Sequence, residues 1–262
     1  MQIKLQNVYY TYPNGDRALS DVSLSIESGE HLAVVGRNGS GKTTFAKHLN
    51  GLLRPQQGSV WIGDWLTSDH STAKLAQRAA YVFQNPDEQL FCQRIWDEVA
   101  FGPQNLGYDQ AHVNTLVQEA LSWVKLEAQA NLNPRDLGYA GRKRVALAAA
   151  LAMDTPAVIF DEPTAGMDAS EVEMLAQVLQ SPLKGKTVLV ISHDMDFVAE
   201  NLDRIILIDD GRVSLDATTR DFFGNDIQIR SHGYLAPQLV RLSRKLEQSS
   251  LALNVDQFLQ YF

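Results

Sequence analysis

One uninterrupted octet, Gly36-Arg37-Asn38-Gly39-Ser40-Gly41-Lys42-Thr43, constrains this chain more than any other feature. It fits the pattern G-x-x-x-x-G-K-[ST]. In such a loop backbone N–H groups wrap around phosphates, the lysine sets a point charge near the β- and γ-phosphates, and the hydroxyl ligates Mg²⁺. The flanks supply the elements such a loop needs. His31-Leu32-Ala33-Val34-Val35 reads as a buried parallel strand, and Phe45, Leu49 and Leu52 recur afterwards at helical spacing. A strand, a glycine turn and a helix N-terminus in that order make an anion site. Gly36, Asn38, Gly39, Ser40, Gly41 and Lys42 are the candidate phosphate contacts, with hydroxyls from Thr43 and the following Thr44.

The rest of the chain reads as an α/β protein. Val22, Leu24 and Ile26 alternate with serines, the period of a half-buried strand, and Asn14-Gly15 marks a tight turn before them. Val60-Trp61-Ile62 and Tyr81-Val82-Phe83 are short strands, the second stopped by Gln84-Asn85-Pro86. From about 95 to 153 the texture is helical, with Val113, Val117, Ala120 and Val124 on one stripe. Strands return at Ala157–Phe160, Thr187–Ile191 and Ile205–Ile208, and Asp210-Gly211 closes a last hairpin. Strands alternating with helices imply a mainly parallel core. Leu235, Leu239, Leu242 and Leu246 form a further helical stripe, which either packs on its own domain or makes a subunit interface. The net charge of −8 argues against a broadly basic nucleic-acid-binding surface. Cys92 is the only cysteine, so no intrachain disulfide forms. No apolar run reaches the roughly 20 residues needed to span a bilayer, so a membrane connection is expected to run through a partner.

Further positions fit chemistry at one sheet edge. Val158-Ile159-Phe160 runs into Asp161-Glu162, where Asp161 is suited to hold Mg²⁺ and Glu162 to polarise an attacking water. His193 follows the strand ending at Ile191 and is placed to orient that water. Gln84 ends another core strand with an amide that can reach Mg²⁺ or the water, and Tyr12 is an upstream aromatic able to stack on adenine.

Together these residues resemble the nucleotide-binding subunit of an ABC transporter. In that resemblance Tyr12 matches the adenine-stacking loop, Gly36–Thr43 the Walker A motif and Gln84 the Q-loop. Asp161-Glu162 match Walker B with its catalytic glutamate, Ala165-Gly166-Met167-Asp168 the D-loop, and His193 the switch histidine. Phe83–Phe91 and Asp97–Gly107 are similar to the ATPases of energy-coupling factor transporters, which import vitamins, cobalt and nickel. The resemblance implies an ATPase using ATP and Mg²⁺, with an N-terminal antiparallel β subdomain and a helical subdomain over about 85–155. It implies an ATPase domain over 1–220 and a helical extension over 221–262. Partners would be a second ATPase, a membrane coupling subunit gripping the stretch after the Q-loop, and a separate solute-binding membrane protein. The location would be peripheral, on the cytoplasmic face of the membrane. A soluble ABC protein or a low-turnover regulatory subunit are the competing readings.

One motif departs from the pattern. Where the family has Leu-Ser-Gly-Gly-Gln, this chain has Leu137-Gly138-Tyr139-Ala140-Gly141. In the family that segment binds the γ-phosphate held by the opposite subunit. Gly138 lacks the hydroxyl, and Tyr139 and Ala140 add side chains where glycine allows close approach. Arg142 and Lys143 next to it retain charge that can attract phosphate. The expectation is a heterodimer with a related ATPase whose signature is intact, the alternative being a slow homodimer that tolerates the altered segment.

Overall fold

The computed structural model describes residues 1–247 and 251–260. Two sheets form its frame. The first is antiparallel, in the order β2-β1-β4-β5, with β1 at Ile3–Thr11, β2 at Arg17–Ile26, β4 at Gln57–Ile62 and β5 at Trp65–Leu66. Its alternation is the expected one: Ile3 faces Ile26, Leu5 faces Leu24 and Val8 faces Val22, all six buried on one side. The second sheet has the order β10-β9-β3-β8-β7-β6. Here β3 is His31–Val35, β6 Ala79–Val82, β7 Ala157–Asp161, β8 Thr187–Ile191, β9 Arg204–Asp209 and β10 Arg212–Thr218. All its pairings are parallel except β9 with β10, whose hairpin turns at Asp210 and Gly211, both at positive φ.

Parallel strands buried on both faces need helices between them, and the sequence supplies these. Helix α1 (Lys42–Leu49) follows β3, and the short α2 (Thr72–Leu75) precedes β6. Three helices, α3 (Ile95–Asn105), α4 (Gln110–Trp123) and α5 (Tyr139–Ala152), lie between β6 and β7. The expected stripe on α4 is buried at Val113, Val117 and Ala120, and Val124 just past the helix is buried too. α6 (Ala169–Gln180) opens with a capping box between Asp168 and Glu171, and α7 (Met195–Asn201) is capped by Asp194. After β10 come α8 (Thr219–Gly224), α9 (Asp226–Ser231), α10 (Gln238–Lys245) and α11 (Val255–Leu259).

Two expectations need correction. The strand read as Tyr81–Phe83 ends at Val82, because the Phe83 N–H leaves the ladder and donates to the Gln89 side chain at 3.2 Å. The leucine stripe is helical only in part, because Leu239 and Leu242 lie in α10 while Leu235 precedes it and Leu246 is its C-cap residue. Ala236, Val240 and Ser243 pack inward, whereas Leu235, Leu242 and Leu246 are 55%, 40% and 50% exposed.

Phe160 stands fully buried in β7 at the centre of the larger core cluster. Phe160→Ala should reduce unfolding free energy by about 3–5 kcal/mol through lost burial and a residual cavity. Denaturant unfolding of the two chains checks this.

Candidate active site

Glycine is required at two points of the loop after β3. A Cβ on Gly36 would lie 2.3 Å from the Ile208 carbonyl oxygen. Gly41 has φ +107, and a Cβ there would lie 2.4 Å from the Ala18 carbonyl oxygen. Lys42, the first residue of α1, is buried and turns back over the loop. Its Nζ donates to the carbonyl oxygens of Gly36 at 2.7 Å and Arg37 at 3.0 Å. Burial pushes its pKa down, and the charges of Glu162 and Asp161 oppose that shift. Ser40 holds the loop to the β9–β10 hairpin, accepting from the Gly211 N–H at 3.0 Å.

Asp161 ends β7 and is buried. One carboxylate oxygen, Oδ2, accepts from the Tyr81 hydroxyl at 2.9 Å, while Oδ1 is buried with no hydrogen-bond partner among the described residues. Burial raises the Asp161 pKa, and hydrogen bonding from Tyr81 and Thr43 pulls it back. A buried, hard oxygen donor beside a threonine hydroxyl and a glycine cradle is a donor set suited to Mg²⁺ with a nucleotide phosphate. The residues present therefore fit that ion.

Glu162 has φ +49, a left-handed conformation uncommon outside glycine. Its N–H donates to the Ile191 carbonyl at 2.9 Å, which joins the residue after β7 to the end of β8. Its carboxylate accepts from the His193 N–H at 3.3 Å and lies 3.2 Å from His193 Nε2. Burial, then the Lys42 charge, lowers the His193 pKa, so the imidazole is neutral at neutral pH. In the tautomer with its proton on Nε2, His193 donates to Glu162. Burial raises the Glu162 pKa as well.

These groups line a cleft of about 1010 Å³. Lys42, Thr43, Gln84, Asp161, Glu162 and His193 all reach it, as do Asn38, Gly39, Gly41 and Thr44. Tyr12 stands at the same cleft, its hydroxyl 2.9 Å from Thr44 Oγ1. Gly36 and Ser40 do not line it. Gly36 is buried beneath the loop, and Ser40 borders a neighbouring depression with Asp209 and Asp210.

The charge expected to attract phosphate at Arg142 and Lys143 is engaged within this chain. Arg142 pairs with Asp87 at 2.8 Å and donates to the Leu137 carbonyl at 2.7 Å. Lys143 is buried and donates to the carbonyls of Glu162 at 2.6 Å and Pro163 at 3.3 Å. Sequence reading also missed Tyr81 and the inward contact of Tyr139. Tyr81 looked like one more strand residue, because nothing local says that its hydroxyl reaches the neighbouring strand's acid. Tyr139 donates to the Gln84 carbonyl at 3.1 Å, a link across 55 positions of chain.

A family model described as ABC transporter matches residues 19–165. The chain belongs to the ABC transporter family. It is an ABC-type ATPase, and nucleotide is its ligand. A putative ABC transporter ATP-binding protein of Pyrococcus furiosus is 38% identical over 92% of each chain. The energy-coupling factor transporter ATP-binding protein EcfA1 of Clostridium novyi is 36% identical over 97% of this chain and 93% of its own. A longer putative ABC transporter ATP-binding protein of Methanosarcina acetivorans is 36% identical, and the chain spans 40% of its length. Among solved structures, cbiO1 from Clostridium perfringens, part of the ABC transporter complex cbiONQ, superposes with a TM-score of 0.77 at 30% identity, covering 94% of this chain and 98% of that one. The dimeric ATP-binding cassette MJ0796 bound to ADP and Pi gives a TM-score of 0.76 at 31% identity, covering 83% and 99%.

The raised pKa of Asp161 has a stability consequence. A carboxyl that binds its proton more tightly in the folded than in the unfolded chain contributes stability at low pH, lost as pH rises through its folded pKa. Asp161→Asn removes the buried charge and keeps an acceptor for Tyr81. Without nucleotide or Mg²⁺, the variant should melt above the native chain at pH 7.5, with the gap closing as pH falls toward the carboxylate range. Calorimetric melting across that series measures it.

Proposed function

We propose that this chain is one of two ATPase subunits of an energy-coupling factor type importer, seated on the cytoplasmic face of a membrane coupling subunit. The observation that carries the reading is the convergence of Lys42, Thr43, Asp161, Glu162 and His193 on one cleft. The name of the Clostridium novyi relative supports the transporter type. Among the described residues no helix is long and apolar enough to cross a membrane, and in this reading the coupling subunit and the solute-binding protein are taken as separate chains.

In this reading the loop amides and Lys42 bind the phosphates of ATP, and Tyr12 receives the adenine. Thr43, Asp161 and Gln84 would hold Mg²⁺, which when bound neutralises phosphate charge. Glu162 accepts a proton from the attacking water, and its raised pKa makes it a better base than an ordinary carboxylate. His193, neutral and hydrogen-bonded to Glu162, orients that carboxylate and the water.

The altered signature supports an asymmetric pair. α5 begins at Tyr139, and its N-cap, Gly138, makes no side-chain capping bond. The side chains that follow are engaged within this chain: Tyr139 with Gln84, Arg142 with Asp87 and Lys143 with Glu162. These intrachain contacts hold the side chains that follow the altered signature away from the role of presenting donors to a phosphate on a second subunit. Losing one preorganised donor to developing charge reduces the rate by about 10²–10³. The productive site would thus combine this chain's cleft with a partner's intact signature. We assign residues 1–220 to the ATPase domain and 221–262 to an extension whose exposed Leu235, Leu242 and Leu246 suit a subunit contact.

ATP turnover of the chain alone and with its partner ATPase tests the reading. The isolated chain should be slow and the pair fast, and brisk turnover by the isolated chain would sink the asymmetric pair. In the active pair, Glu162→Gln should lower kcat by about 10²–10⁴ while ATP still binds.

A further inference from the structure

We propose that Lys143 is a positioning residue for ATP hydrolysis in this chain, holding the Glu162 peptide from α5, with Tyr139 one helical turn earlier tying the same helix to the Q-loop. The proposal rests on the reading of Glu162 as the catalytic base.

Lys143 is only 3% exposed. A buried ammonium is strongly unfavourable unless its donors are used. Among the described residues Lys143 makes no salt bridge with a carboxylate. Its Nζ is committed instead to two successive peptide carbonyls, Glu162 at 2.6 Å and Pro163 at 3.3 Å. The Glu162 peptide has reason to need this. Its φ of +49 is sparsely populated for a side chain with a Cβ and persists only where surrounding contacts over-determine it. The Glu162 N–H is tied to Ile191 of β8, and its carbonyl accepts from Lys143 and, at 3.4 Å, from the Ala165 N–H. Lys143 thus closes the second side of a clamp whose first side is the sheet. The ammonium charge also favours the ionised form of the Glu162 carboxylate.

Tyr139 completes the arrangement at i−4, the spacing that places two side chains on one helix face. The Lys143 ammonium lies 5.5 Å from its ring centroid. The Tyr139 hydroxyl donates to the Gln84 carbonyl at 3.1 Å. A Cβ on Gly166, in the turn before α6, would lie 3.0 Å from Cδ1 and Cε1 of Tyr139, so the ring leaves no room for a side chain there. One turn of α5 therefore holds the peptide carbonyls of Gln84 and Glu162.

The test uses the assembled ATPase pair, with Lys143→Met, Lys143→Arg and Lys143→Gln in this chain and Glu162→Gln as reference. Misplacing a reacting group by about 1 Å can lower the rate by about 10². K143M should reduce kcat at least tenfold and leave KM for ATP within twofold, and K143R should recover kcat to within threefold of the native pair. A K143M kcat within twofold of native overturns the proposal, as does a loss expressed in KM alone. Should K143M fail to fold, the other variants decide. K143R near native with K143Q at least tenfold slower supports it, and equal rates overturn it. If E162Q leaves turnover unchanged, the assignment of Glu162 falls and the role of Lys143 falls with it. If E162Q is inactive while K143M is unaffected, only the role of Lys143 falls.

Discussion

The hydrogen-bond ladder that joins β3, β8, β7 and β6 in parallel decides where each reactive group stands. Asp161 pairs with Ile191, and Val34 pairs with the same Ile191, so the ends of three strands share one row. The loop carrying Lys42, the two acids and His193 all leave the sheet within a few residues of that row. Parallel pairing puts carboxyl ends on one edge, which is where crossing loops make ligand clefts in sheets of this class. A slip of one residue in β7 would turn Asp161 to the opposite face and lose the site without unfolding a strand. β7 and β8 are buried on both faces, so their register rests on the close fit of individual side chains rather than on an alternating pattern.

The charges at this edge are held against solvation. Burial lowers the pKa of Lys42 and Lys143 and raises those of Asp161 and Glu162, while the opposite charges work the other way. In the nucleotide-free chain this makes a locally unfavourable patch, to which the left-handed peptide of Glu162 adds. Functional sites commonly carry such conflict between local preference and fold. The rest of the molecule supplies the compensation through two large clusters of buried apolar side chains above and below the parallel sheet.

What the sequence disclosed divides along the range of the interactions. The loop at Gly36–Thr43 was legible because its requirements are local: glycines for backbone clearance, a lysine and a hydroxyl at fixed spacing. Asp161, Glu162 and His193 were legible because each ends an apolar run. Three features were not. Tyr81 looked like any strand aromatic, since its partner Asp161 lies 80 positions away. The leucine stripe near the C-terminus announced a helix but not its orientation, because Val240 and Ser243 offer an equally narrow inward face. Lys143 carried a charge that reads as solvent- or ligand-facing until the Glu162 carbonyl is seen beneath it.

The same short segment bears on the site in two opposite ways. In the proposed pairing, the absence of a hydroxyl and two glycines at the start of α5 takes away groups that would reach across to another subunit's nucleotide. A phenol and an ammonium in that region bring new contacts, but they point inward, to Gln84 and Glu162 of this chain. A helix N-terminus still offers its unpaired N–H groups to an anion. Tyr139 nonetheless leaves a bulky ring where close backbone approach would be needed, 40% exposed and braced against the turn at Gly166. Both changes push toward division of labour. On the proposed reading, the chain is a poorer donor to a second nucleotide site while its own Glu162 peptide is held from both sides, and a site so built would gain most from a partner that contributes the missing donors.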